Sequence, residues 1–389
     1  MNTTRKSFIL ILVIYIFLVA GIKNVDAQAI NASKNGSAFQ EQDKFGGWPA
    51  NNGLWTWDNG KEILVGYTYG KFVEQKGHNI EGMSEQAEGL GNRLARSTDG
   101  GLTWISEVPE NYVGTSNPPV PSPGGINFQD PGFAMRVVAL GYHGAHDTLG
   151  GHFFVSNNRG KEWQGPYRFN GLLDDPNLKG FYNTARTEYI VTGPNSCLVF
   201  MSARESLTKY NDKTFVAETT DGGKTFQFVS WIIPLSDPDR AVMPQAVKLK
   251  DGSIVVAMRR RNGPKDWGYV DVYGSKDNGK TWNFLSKVGD TGKRNGNPPA
   301  LVALKDGRLA CAYGDRSRQK LFVRLSSDGG ISWEKELIIR EDFQTDSFGD
   351  MDFGYPQLTE NNKKKIVALY YWATKENPQQ YIATTIWKP

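Results

Sequence analysis

Ser275-Lys-Asp277-Asn-Gly279-Lys-Thr-Trp282 is the stretch that decides the fold, because it is one of five copies. The others are Ser97-Thr-Asp99-Gly-Gly-Leu-Thr-Trp104, Ser156-Asn-Asn158-Arg-Gly-Lys-Glu-Trp163, Thr219-Thr-Asp221-Gly-Gly-Lys-Thr-Phe226 and Ser326-Ser-Asp328-Gly-Gly-Ile-Ser-Trp333. They recur at intervals of roughly 50 to 65 residues, the period of repeated β-sheet blades. In each copy Asp or Asn can fold its carbonyl oxygen back onto nearby backbone N–H groups. Gly supplies a positive φ, and the closing Trp or Phe can pack between neighbouring sheets. Each copy therefore predicts one closed hairpin.

Upstream of the turns a second element repeats, as Met243-Pro-Gln-Ala-Val-Lys-Leu-Lys-Asp-Gly252 and Pro299-Ala-Leu-Val-Ala-Leu-Lys-Asp-Gly307, each followed by an apolar strand. Tyr355-Pro-Gln-Leu358 and Trp48-Pro-Ala-Asn51-Asn52-Gly53 open diverged copies. Together the two elements predict six units, at about 46–110, 125–168, 183–232, 240–288, 296–338 and 350–387. No amphipathic helical period stands out. Short antiparallel strands need their edges covered, and radial repetition of four-stranded sheets does that. The expectation is an all-β chain, residues 28–389, folded as a single β-propeller of six blades. A seventh blade, built from Gln28–Lys44 and Tyr381–Trp387, is the alternative.

Composition agrees with this. The 389 residues are 39% hydrophobic and 22% charged, enough for a large core, and 43 glycines without a collagen period signal many tight turns. The net charge of +4 is spread along the chain, so nucleic acid is not an expected partner. Arg5 and Lys6 precede the apolar run Phe8 to Ala20, and small residues surround a cut before Gln28. Residues 1–27 thus read as a signal peptide, too short to insert as a membrane span, and the mature protein is expected to be exported, periplasmic or secreted. Losing Arg5, Lys6, Lys23 and Asp26 lowers the charge by two. Cys197 and Cys311 sit in apolar strand patterns and read as small core residues, with a bridge as the lesser alternative.

The five turns resemble the Asp-box of sialidases and related propellers. That resemblance implies a site on the propeller axis away from the Asp-boxes, arginines gripping an acidic sugar, and a catalytic Tyr; Tyr355 occupies the matching place in the last repeat. The sialidase Phe-Arg-Ile-Pro motif is replaced by Phe45-Gly-Gly-Trp-Pro49, so one clamp arginine is absent. Arg186, Arg240, Arg259 and Arg316 fall near strand ends. They could fork onto a carboxylate or form structural ion pairs with Glu188, Asp239 or Asp315. The stretch from Gln40 to Gly53 mixes amides, acids and a Trp. It could line a sugar pocket, with Trp48 stacking on the sugar and Asn51 and Asn52 reading hydroxyls, or simply close the ring.

With the Asp-boxes and Asp352-Phe-Gly-Tyr-Pro356, this stretch is similar to the exported gut-bacterial propellers that include exo-α-L-rhamnosidases acting on rhamnose α-1,4-linked to glucuronate. The resemblance implies an acidic plant-type glycan as partner, no cofactor, and a catalytic His near the propeller start, on the face opposite the sialidase-like one. The matching position here reads as Gln42, with Gln40 second, and a neutral amide cannot shuttle a proton as imidazole does. The expectation is therefore a glycoside-hydrolase-like propeller of impaired catalysis, with a non-catalytic sugar-binding propeller, a sialidase-type exo-glycosidase and a uronate lyase as alternatives. His143, His146 and Asp147 could ligate a metal, but their Gly-rich setting fits a hydrogen-bonded loop better, and no metal is expected. His78 reads as a rim residue.

Overall fold

The computed structural model describes residues 27–81, 91–109, 112, 118–139, 150–184, 186–206, 211–293 and 296–389. The expected signal peptide, except Ala27, and the trio His143, His146 and Asp147 lie outside them.

Six sheets form the blades, and their order follows the repeats: residues 44–107 make blade I, 120–168 blade II, 182–231 blade III, 240–293 blade IV, 300–340 blade V and 354–387 blade VI. In blade IV the strands run Arg240–Lys248, Ile254–Asn262, Trp267–Ser275 and Asn283–Lys293 from the axis outward, all antiparallel. The Asp-box joins the third strand to the fourth, so it lies on the periphery. The same holds in blades I, III and V. Two faces result: an upper face where the inner strands begin, and a lower face where they end and the Asp-box turns sit.

The chain termini close the ring with each other instead of building a seventh blade. Ala32–Phe39 pairs antiparallel with Tyr381–Trp387 as the outermost strand of blade VI, which has no Asp-box because its last strand comes from the other end of the chain. Gln28–Ala29 adds a parallel edge strand to blade V. Non-local closure of this kind fastens the first and last repeats of a stack that otherwise touches only neighbours.

The Asp-box geometry follows the sequence argument. In blade I Asp99 Oδ1 accepts from Leu102 N and Thr103 N at 2.9 Å each, Gly101 N donates to Ser97 Oγ at 2.8 Å, and Trp104 Nε1 donates to Gly101 O at 3.0 Å. Gly100 and Gly101 take φ of 76° and 91°, a region a side chain would strain. Cys197 and Cys311 are buried, unbridged thiols in blades III and V.

Blade II departs from the pattern. Its Asp-box joins the second and third strands, and among the described residues no strand lies inside Ala134–Val138, the inner edge of its sheet. Side chains cover that edge: Trp55 Nε1 donates to Met135 O (3.2 Å), Tyr189 Oη accepts from Met135 N (3.3 Å) and Thr187 Oγ1 from Val137 N (3.1 Å). Backbone groups there are satisfied without a strand, as buried peptide groups must be.

Candidate active site

Three inner strands open with the same backbone device. Trp48, Met243 and Tyr355 have φ of 48°, 58° and 47°, and each precedes a proline. In blades IV and VI the ladder then skips, from Val242 to Gln245 and from Gly354 to Gln357. In blade I the skip grows into the single turn Pro49–Asn52 between the half-strands Lys44–Gly47 and Leu54–Trp57. That turn lies against Gly66, where a Cβ would come within 2.5 Å of Asn52 O. Left-handed non-glycine residues carry strain, and such strain persists where the surroundings fix it, commonly at functional sites.

Around this device the upper face gathers a compact group. Asp352, just before the inner strand of blade VI, has a side chain 1% exposed. Its Oδ1 accepts from His78 Nδ1 at 2.8 Å and from Tyr371 Oη at 2.6 Å. Burial first, and the charge of Asp352 second, hold the Tyr371 phenol well above its ordinary value, so it stays a donor. A carboxylate acceptor places the ring hydrogen of His78 on Nδ1 and leaves the Nε2 lone pair as the basic site. Trp48 stands edge-on to His78 with centroids 5.0 Å apart, and Tyr371 lies 6.0 Å from Tyr355. Opposite them Arg259 Nη1 donates to the Tyr355 hydroxyl at 3.2 Å.

His78 is held by its loop as well as by Asp352. Gly77 N donates to Asp350 (2.6 Å), Asn79 Nδ2 to Asp346 (3.0 Å) and Ser347 N to Glu74 (2.7 Å), so the segment after the second strand of blade I is stitched to the segment entering blade VI. His78, expected at the rim, is thus a partly exposed imidazole oriented by a buried acid. Sequence reasoning missed it because its partner lies 274 positions away.

The other anticipated residues separate into distinct roles. Gln42 is exposed in the turn before blade I, and Gln40 beside it donates to Asn377. Trp48 is 1% exposed, so it walls His78 and offers no open stacking face. Asn51 and Asn52 are buried as well, and Asn52 Nδ2 bonds Trp48 O (3.1 Å) and Thr68 Oγ1 (3.2 Å). Burial removes Trp48, Asn51 and Asn52 from the surface a sugar would meet. Arg240 pairs with buried Asp212 at 2.7 Å, not with Asp239. Arg316 is half-buried just past the second strand of blade V, and Asp315 is held by Arg318 at 2.6 Å.

Arg186 crosses the axis. It donates to Pro244 O (3.2 Å), Gln245 Oε1 (3.2 Å) and Pro299 O (3.1 Å), and Gln245 Nε2 continues to Gln357 Oε1 at 3.1 Å. On the lower side lies a cavity of about 330 Å³ lined by Trp55, Trp57, Glu188, Tyr189, Gln245 and Gln357, among others. Burial pushes the Glu188 carboxyl up to about 8, against the pull of Arg186 and a hydrogen bond from Ala246 N. Among the described residues no group of three or more His, Cys, Asp or Glu side chains is arranged to hold a metal, and no helix is long and apolar enough to cross a membrane.

Residues 236–367 match a family described as BNR repeat-like domain. No curated protein sequence matches the chain. Among solved structures, a protein of unknown function from Dyadobacter fermentans is 17% identical, with TM-score 0.67, covering 92% of this chain and 98% of the other. An α-L-arabinofuranosidase of Fusarium graminearum, in complex with an iminosugar inhibitor, is 15% identical with TM-score 0.53 over 92% and 98%. The NanB sialidase of Streptococcus pneumoniae is 14% identical with TM-score 0.51 over 93% and 70%. With its five Asp-box turns and six blades, the chain is an all-β, six-bladed β-propeller, and its fold is similar to that of these sialidase and arabinofuranosidase structures.

Proposed function

We propose that this protein cleaves the bond between a terminal sugar and a uronic acid, such as α-L-rhamnose on glucuronate, at the upper face. The observation that carries the reading is the His78–Asp352 pair at 2.8 Å beside a tyrosine that bonds an arginine. His78 would move the proton, with Asp352 fixing its tautomer. Arg259, with Arg316 nearby, would grip the carboxylate, a group that a guanidinium fork matches in charge and shape. The sugar-cleaving neighbours of the same fold support a carbohydrate as ligand.

A second chemistry is favoured over hydrolysis by one feature. Hydrolysis of a glycoside commonly uses two carboxyl groups about 5 to 9.5 Å apart, whereas the acid in this group, Asp352, is buried and already engaged by His78 and Tyr371. A base, a phenol and an arginine suit β-elimination instead. His78 would take the proton from C5 of the uronate, and the electron pair would form the C4–C5 double bond. The C4–O4 bond would break, and O4 would leave with the terminal sugar, protonated by Tyr355. Arg259 would neutralise the carboxylate that makes C5 acidic. Incubation with a rhamnose-α-1,4-glucuronate oligosaccharide tests both routes: free rhamnose with the new short-wavelength ultraviolet absorbance of a carboxylate conjugated to the C4–C5 double bond means elimination, and free rhamnose without it means hydrolysis. Binding with no release would leave a sugar-binding propeller.

A further inference from the structure

Blade II buries a cation for which the described residues supply no anion. Arg136, in the strand Ala134–Val138, is 2% exposed. Its Nη2 makes a long contact of 3.4 Å to Asn52 Oδ1, while Nε and Nη1 are buried without a hydrogen-bond partner. Two aromatic faces flank the guanidinium, Tyr112 at 4.8 Å and Phe154 at 5.8 Å. Those contacts stabilise a cation but satisfy none of its N–H groups.

A second buried donor stands beside it. The strand register pairs Phe154 with Arg136 and His152 with Val138. Arg136 and His152 are therefore diagonal neighbours on one face of the sheet, within reach of a shared small partner. His152 is 2% exposed, and neither ring nitrogen has a hydrogen-bond partner. This is the face that Ala134, Val138 and Phe154 pack against Trp55 and Leu94 of blade I. A buried guanidinium does not shed its proton near neutral pH, and unpaired burial is costly, so a partner of opposite charge is the physical remedy.

We propose that Arg136 and His152 bind a small monovalent anion, of the halide class, between blades I and II. The guanidinium offers an unpaired N–H from Nε or from Nη1, and neutral imidazole offers a second. The apolar walls favour a weakly hydrated single charge over sulfate or phosphate, whose second charge would go unmatched. Burial first, and the charge of Arg136 second, depress the His152 imidazole to about 4, so it is neutral and supplies one N–H. Through Asn52 the site also touches the backbone of Trp48, the wall behind His78.

Thermal unfolding of the full chain in sodium chloride, bromide, nitrate and gluconate at equal ionic strength tests this. The expected result is a saturable rise in Tm with halide and none with gluconate, the signature of a ligand that binds only the folded state. Crystals grown in bromide should show an anomalous peak within hydrogen-bond reach of Arg136 Nε or Nη1 and of His152. Arg136→Met should abolish the halide response. Should that variant fail to fold, His152→Phe, which keeps a ring in place, should weaken the response at least tenfold in halide concentration. A parallel titration with free glucuronate separates sources: an equal, Arg136-dependent rise would assign the site to a sugar carboxylate. Identical Tm in all salts, a halide response that survives Arg136→Met, or a bromide peak without any effect on Tm, an adventitious ion only, would each overturn the proposal.

Discussion

Asp352 Oδ1 and His78 Nδ1 lie 2.8 Å apart although 274 residues separate them, and this contact joins the last blade to the first at the upper face. Phe45 and Trp48, from the strand and turn that open blade I, pack against Tyr371 of blade VI on the same seam. Ring closure and the His78–Asp352 pair therefore depend on the same interface.

Replacing Asp352 with Asn keeps the side-chain shape but removes the negative charge and adds an NH2 donor, so the acceptor no longer fixes the His78 tautomer. Turnover should fall about 10²-fold or more, as expected for losing general acid–base assistance, with KM little changed. Steady-state kinetics on the rhamnose–glucuronate oligosaccharide would check this, and equal loss in KM and kcat would point to a purely structural role.

Arg259 should determine acid recognition. Arg259→Met is expected to abolish the preference for a uronate-capped glycan over its neutral counterpart by calorimetry. It should also lower the calorimetric affinity for the uronate-capped glycan to that for the neutral one, since a buried guanidinium such as Arg259 is little screened by salt.

Glu188 should make stability depend on pH. Its folded value near 8 lies above the ordinary 4.5, so between these values the unfolded chain has released a proton that the folded protein keeps. Stability is then fully present below pH 4.5 and declines as pH rises toward 8, by at most about 1.4 kcal/mol per pH unit. Glu188→Gln retains an oxygen for Ala246 N, and it should remove this slope in urea unfolding measured across that range.

Asp99 shows the opposite sign. Hydrogen bonds from Thr103 and Ser97 outweigh burial and hold its carboxyl at about 2, so its contribution is present above pH 3.8 and fades as pH falls toward 2. Asp99→Ala should cost about 1–2 kcal/mol through lost turn hydrogen bonds, read as a lower midpoint in urea at pH 7.

Removing residues 28–39 should open the ring. The strand Ala32–Phe39 covers the edge of Tyr381–Trp387, and an uncovered long edge invites association. The truncated chain is expected to aggregate where the chain starting at Gln28 remains monodisperse in size-exclusion chromatography.

The sequence by itself determined the architecture. Asp277, Gly279 and Trp282 and their four sets of counterparts act within eight residues each, so their hairpins are local and readable, and together with the repeated inner-strand element they count the blades. The inner-strand starts at Trp48, Met243 and Tyr355 were legible as X-Pro strand openings too, though not as left-handed bulges. Tertiary structure alone decided the site. Arg240 found Asp212 in the neighbouring blade and not adjacent Asp239. Trp48 turned inward onto His78, Arg186 spanned the axis, and Asp352 met His78 across the closing seam. A propeller brings strand ends from all its blades to one axis, so the partners that give a side chain its chemistry come from chain segments whose distance in sequence carries no signal of their approach.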